Sequence, residues 1–166
     1  MGEAAPAAGS SSASVSLNTP EYIKAEKTAL ALVARAEQCT YGLKCKLEKK
    51  KIQSDIIQAV LDHLAELNLV NDLRYAQLWL KMKIARGNKG PHMLSLLLKA
   101  KGIDSETSEA ALSAVLTPEV ETMLLKSCLY KTKKSLDTKS AIRYFLKAEG
   151  FSADAIERYF EDVDNQ

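Results

Sequence analysis

Apolar residues recur along this chain at helical spacing, and one block of about fifty residues comes round three times. The first copy carries Leu43, Leu47, the pair Lys51-Ile52, then Ile56, Ile57, Val60 and Leu61. The second carries Leu94, Leu98, Gly102-Ile103, then Thr107, Ala111 and Leu112. The third carries Ile142, Leu146, Gly150-Phe151, then Ala155, Ile156, Tyr159 and Phe160. From Ile52 to Ile103 is 51 residues and from Ile103 to Phe151 is 48, so the period is nearly fixed. A repeat of this length is one supersecondary unit that cannot bury its own apolar face and must stack on its neighbours.

Punctuation residues mark the helices. Thr19-Pro20 reads as a cap followed by a first-turn proline, opening a helix with Ala25, Ala29, Leu32, Val33 and Ala36 on one stripe. Thr40 is the expected cap of a short helix that buries Leu43 and Leu47. That helix ends at Lys51, where the other copies have Gly102 and Gly150, residues that take the left-handed conformation without a Cβ penalty. The helix after each corner has Ser54, Asp104 or Ser105, and Ser152 as expected caps.

A longer helix opens the second unit near Asp72, with Tyr75, Ala76, Leu78, Trp79 and Met82 at core spacing. Another opens the third at Thr117-Pro118, with Val120, Met123, Leu124, Ser127 and Cys128. Gly87-Asn88-Lys89-Gly90-Pro91 is a turn with Pro91 opening the next helix, and Lys131 to Asp137 is the corresponding polar break. No segment alternates with period two. The pattern therefore predicts an all-α protein: three tandem three-helix repeats over 20–70, 71–116 and 117–166, stacked into an elongated, curved surface. An Ala/Ser-rich tail over 1–19 precedes them and is expected to be disordered.

Composition narrows the class. Hydrophobic residues make up 46% of the 166, enough for a core, whereas the 6% aromatic content makes that core aliphatic. No run approaches the ~18 apolar residues of a membrane span, and the tail lacks the apolar stretch of a signal peptide. Three cysteines, Cys39, Cys45 and Cys128, are an odd set without zinc-site spacing from each other or from His63 and His92. A reduced, cytoplasmic protein without metal or cofactor is expected. There is no phosphate-cradling glycine loop, no useful Cys/His pair and no paired carboxylates in an apolar setting, so no enzyme is expected.

The net charge of +2 conceals a strong asymmetry: residues 38–101 carry 12 Lys/Arg against 5 Asp/Glu. Within 81–101 six bases (Lys81, Lys83, Arg86, Lys89, Lys99 and Lys101) meet no acid. This patch is the expected contact for an acidic partner, and Lys131, Lys133 and Lys134 in the third unit's polar break form a secondary candidate.

The sequence Asp72-Leu73-Arg74-Tyr75-Ala76, the basic stretch after it, Gly90-Pro91 and Lys101-Gly102-Ile103 together resemble the RecX family. That family shows an acid-any-Arg-Phe-Ala motif, a basic helix, a Gly-Pro turn and a Lys-Gly-Ile corner at these spacings. The similarity runs from about Ala25 to Phe160 and is densest over 68–103. Tyr75 replaces the family Phe, Lys51 and Asn68 stand at family glycines, and Thr40-Tyr41-Gly42 departs from the family's Ser-Arg before Leu43. The resemblance implies a non-enzymatic modulator lying in the groove of the RecA–single-stranded DNA filament, restraining ATP hydrolysis, strand exchange and the co-protease activity behind the SOS response. It adds Asp72 and Arg74 to the expected contact residues. The alternative is a direct helical-repeat binder of single- or double-stranded DNA. Lacking a long unpaired apolar stripe, the chain is expected to be a monomer.

Overall fold

The computed structural model describes residues 19–87, 89–132 and 136–165; the tail over 1–18, Asn88, Lys133 and Lys134 lie outside the described residues. The described residues form nine helices and no strand. These are α1 (Pro20–Val33), α2 (Thr40–Glu48), α3 (Ser54–Glu66), α4 (Asp72–Arg86), α5 (Pro91–Lys99), α6 (Ser105–Val115), α7 (Pro118–Lys131), α8 (Lys139–Ala148) and α9 (Ala153–Asp164).

Local chemistry sets their ends. Pro20, Pro91 and Pro118 open α1, α5 and α7, and the hydroxyls of Thr19, Thr117, Thr138 and Ser152 cap α1, α7, α8 and α9. Two caps differ from the expected residues. Cys39 precedes α2, its Sγ accepting from the Gly42 N–H at 3.4 Å, so Thr40 is already helical. Gln53 precedes α3 without a side-chain cap, which places Ser54 inside the helix. Asp104 is the cap of α6, and Ser105 its first residue.

Packing follows the threefold pattern. α1, α2 and α3 pack on one another, α6 packs on α4 and α5, and α9 packs on α7 and α8. The first three helices enclose their own core around Leu43, Leu47, Ile57, Val60 and Leu64. The other six share a second core running from Leu80, Leu94 and Leu98 to Leu124, Leu146 and Phe160, and Cys39 from the first group reaches into it. Leu43, Leu47, Leu94, Leu98, Ile103 and Leu146, which recur with the fifty-residue period, are among the most deeply buried side chains, whereas Ile52 and Ile142 are half-buried.

The α2–α3, α5–α6 and α8–α9 corners turn through left-handed residues: Lys51 at φ +59°, Gly102 at +80° and Gly150 at +86°. At the latter two a pair of main-chain hydrogen bonds closes the helix. Ile103 N–H donates to Leu98 O and Gly102 N–H to Lys99 O; Phe151 and Gly150 repeat the pattern on Leu146 and Lys147. Asn68, at φ +53°, ends α3 in the same way, its amide bonded to Ala65 O and that of Leu69 to Leu64 O.

Successive groups are joined at these corners. A Cβ on Gly150 would lie 2.6 Å from the Met93 main-chain nitrogen, and one on Gly90 would lie 2.4 Å from Gly150. The approach is that close because main chain bonds to main chain: Gly90 N–H donates to Glu149 O at 2.8 Å and His92 N–H to Gly150 O at 3.0 Å. One period earlier, Gly102 lies against the Tyr41 ring, and the Cys39 thiol is 3.5 Å from Lys101 O. Thus the start of each group's second helix meets the corner of the next group.

Candidate interaction surface

α4 opens at Asn71, whose side-chain oxygen accepts the Arg74 N–H at 2.9 Å. Its inward side is Ala76, Trp79 and Leu80, all buried. The expected core stripe is therefore corrected in part. Trp79 is inside and Tyr75 half-buried, but Leu78 is 44% and Met82 59% exposed. A helix rotates 100° per residue, so Leu78, Lys81, Met82 and Ala85 fall together on the face opposite Ala76 and Leu80. The outer face of α4 thus carries apolar and cationic groups side by side.

The structure divides the basic residues into three groups. Lys81, Arg86 and Lys99 are exposed and lie outside the ion pairs among the described residues. Lys83 and Lys101 bring their ammonium groups over the Trp79 ring, 5.2 and 5.6 Å from its centroid, so the indole collects two cations. Lys89 instead reaches Glu149 at 2.5 Å, pinning the α4–α5 turn to the third group. In the secondary set, Lys131 donates to the Arg86 carbonyl at 2.5 Å, where the C-terminal end of the α4 dipole favours a cation.

Asp72 and Arg74 are engaged within the chain. Asp72 Oδ1 accepts the Thr40 N–H at 2.7 Å. The Arg74 guanidinium pairs with Glu37 at 2.8 Å and donates to Asn68 O at 3.0 Å and Leu69 O at 3.3 Å. This pair therefore holds α4 to the α1–α2 connection and to the left-handed Asn68 turn. The sequence analysis missed Glu37 and Glu149, the carboxylates on which these joints close. It also missed Glu121, a buried side chain whose Oε1 accepts the Ser152 N–H at 2.9 Å. All three partners lie more than thirty residues away in sequence, and no local pattern connects them.

Among the described residues, no three His, Cys, Asp or Glu side chains are grouped to hold a metal ion. Nor is any helix among them long and apolar enough to cross a membrane. Burial pushes the Cys128 thiol above its ordinary value, the opposite of an activated nucleophile.

Three-helix groups packed corner to helix, with a mixed basic and apolar outer face on α4, define an all-α helical-repeat protein. The model of the second three-helix domain of RecX matches residues 71–112, from the cap of α4 into α6. The regulatory protein RecX of Halalkalibacterium halodurans is 30% identical over 149 residues, covering 86% of this chain and 56% of that protein. That of Bacillus licheniformis is 31% identical over 146 residues, covering 85% and 56%. The crystal structure of RecX from Lactobacillus salivarius superposes with a TM-score of 0.77 at 24% identity, covering 88% of this chain and 98% of that one. The chain belongs to the RecX family of regulatory proteins. It spans about half the length of the curated relatives it matches.

Proposed function

We propose that this protein regulates a bacterial RecA recombinase by lying in the groove of the RecA–single-stranded DNA filament, in the cytoplasm, and restraining its ATPase, strand-exchange and co-protease activities. The units stacked along that groove are those of residues 20–70, 71–116 and 117–166. The observation that carries this reading is the outer face of α4, where exposed Leu78 and Met82 lie beside Lys81 and Arg86. Phosphate binding draws on cations and hydrogen-bond donors and gains little from exposed apolar side chains. Two large apolar side chains among them favour a protein surface, where they are desolvated on contact. Lys99, Lys83 and Lys101 extend the positive field, the last two held in place over Trp79. Asp72 and Arg74 act as positioning residues that set how the first group meets the second.

The test is single-stranded-DNA-dependent ATP hydrolysis by a bacterial RecA titrated with this protein, beside its binding to the same DNA without RecA. Inhibition at concentrations well below those that coat bare DNA supports action on the filament. Inhibition that only tracks DNA coating overturns it.

A further inference from the structure

We infer that the first three-helix group carries a separate, sequence-independent site for the phosphate backbone of duplex DNA, in the groove between α1 and the α2–α3 corner. This site is independent of the α4 assignment and lies on a different group.

Two adjoining depressions run along α1 and share Lys24, Thr28 and Lys50. One, of about 500 Å³, adds Lys51 and Gln53; the other adds Lys27 and Arg35. The cations Lys24, Lys27, Arg35, Lys50 and Lys51 are all exposed, and none joins an ion pair among the described residues. A single carboxylate, Glu21, lines the groove. The arrangement contrasts with the third group, where Lys126, Lys139 and Arg143 all pair with carboxylates of α9.

The corner itself points the same way. Gly102 and Gly150 meet Tyr41 and Met93 of the preceding group across distances that leave no room for a Cβ. The matching residue here, Lys51, is exposed at φ +59°. A lysine is uncommon in that conformation, and at this position it adds a cation to the wall of the groove.

Lys24 and Lys27 lie on α1 and Arg35 lies just past its end, so these cations spread over roughly 15 Å, at about 1.5 Å per helical residue. Duplex DNA carries one phosphate charge per ~1.7 Å of axis, so a polyanion of that charge density meets several lysines at once. No aromatic side chain lines either depression. Binding of a flexible single strand relies on stacking platforms, and their absence favours the duplex, whose phosphates are already fixed in space.

The experiment is fluorescence anisotropy of the full chain with a labelled duplex of arbitrary sequence, from 50 to 200 mM salt, with single-stranded oligonucleotide and poly-L-glutamate as competitors. K24Q/K27Q/K50Q should bind the duplex at least ~10-fold more weakly at 50 mM salt, with a log–log salt slope shallower by about 2 to 3, since each phosphate contact contributes ~0.9. E21Q should bind about twofold more tightly, a gain that impaired folding does not produce. Undetectable binding by the unmodified chain at 50 mM salt overturns the site, as does an unchanged affinity and slope in the triple variant. A tighter grip on the single strand, or equal competition by polyglutamate at matched charge, overturns the assignment to duplex DNA.

Discussion

Asp72 Oδ1 accepts the main-chain N–H of Thr40 at 2.7 Å, placing a carboxylate from the first turn of α4 at the N-terminus of α2. The amides of a helix's first turn have no intrahelical partner, and the dipole there favours negative charge. Asp72 meets both needs from 32 residues away, so one bond serves as helix cap and joint. Asp72→Ala should lower stability by about 1–2 kcal/mol in chemical denaturation. Asp72→Asn, which keeps an acceptor and loses the charge, should cost about half as much. Equal stability for all three proteins would show that the bond contributes nothing net.

The joint between the second and third groups depends on close backbone approach, and Gly90 isolates that term. Its φ of −79° suits any residue, so Gly90→Ala strains no dihedral. Its Cβ would nevertheless sit 2.4 Å from Gly150. Overpacking of this kind costs about 1–3 kcal/mol, and hydrogen exchange at the amides of residue 90 and His92, the two donors of the joint, should quicken more than at Leu43 and Leu47. Uniform exchange rates in the variant would refute a local joint.

Lys51 and Gly150 occupy matching corners, yet they should respond in opposite directions. Gly150→Ala places a side chain in the left-handed region and against Met93, and should destabilise by at least ~1 kcal/mol. Lys51→Gly removes the same backbone penalty at an exposed site. Offset by greater freedom of the unfolded chain, it should be neutral or stabilising by up to ~1 kcal/mol. A clear loss of stability in Lys51→Gly would show that the lysine side chain supports the corner.

On α4, Leu78→Asp and Met82→Asp should leave the melting temperature within about 2 °C, because exposed substitutions change stability little. Both should raise the concentration needed to inhibit RecA ATP hydrolysis. Trp79→Ala, one position from Leu78 but buried, should cost about 3 kcal/mol or more. Full inhibition by Leu78→Asp/Met82→Asp would remove the outer face from the contact.

Asp104 supplies a pH signature. The Thr107 main-chain N–H, and then its hydroxyl, donate to this carboxylate at 2.8 and 2.7 Å and hold it below its ordinary value of 3.8. A group whose folded value is depressed stabilises the fold above its unfolded value, and that contribution is lost as pH falls through the folded one. The gap in melting temperature between the protein and Asp104→Asn should therefore hold steady from neutral pH and close below 3.8. A gap that persists at the lowest pH would mean that the carboxylate's charge is not what the cap uses.

Much of the fold was legible because its punctuation is local. Pro20, Pro91 and Pro118 mark helix starts, and Gly102 and Gly150 mark left-handed corners, each by a rule spanning a few residues. The rotation of α4 was legible only in part. Its apolar residues cover both faces, and the inward one is centred on Ala76 and Leu80, fixed by contact with α6 and not by residue size. For the surface, composition located the basic stretch, but separating Lys81 and Arg86 from Lys89 required a carboxylate sixty positions downstream. The joint between the second and third groups left still less trace, since the main-chain donors and acceptors that close it are common to every sequence.

That last property of the Gly90–Glu149 and His92–Gly150 bonds bears on how such a protein changes over time. An orientation fixed by peptide groups is inherited through almost any set of side chains, provided a few positions stay small. Surface residues of the second and third groups are then free to vary while the spacing between those groups stays constant. That pair of groups behaves as a ruler whose markings can be repainted without altering its length.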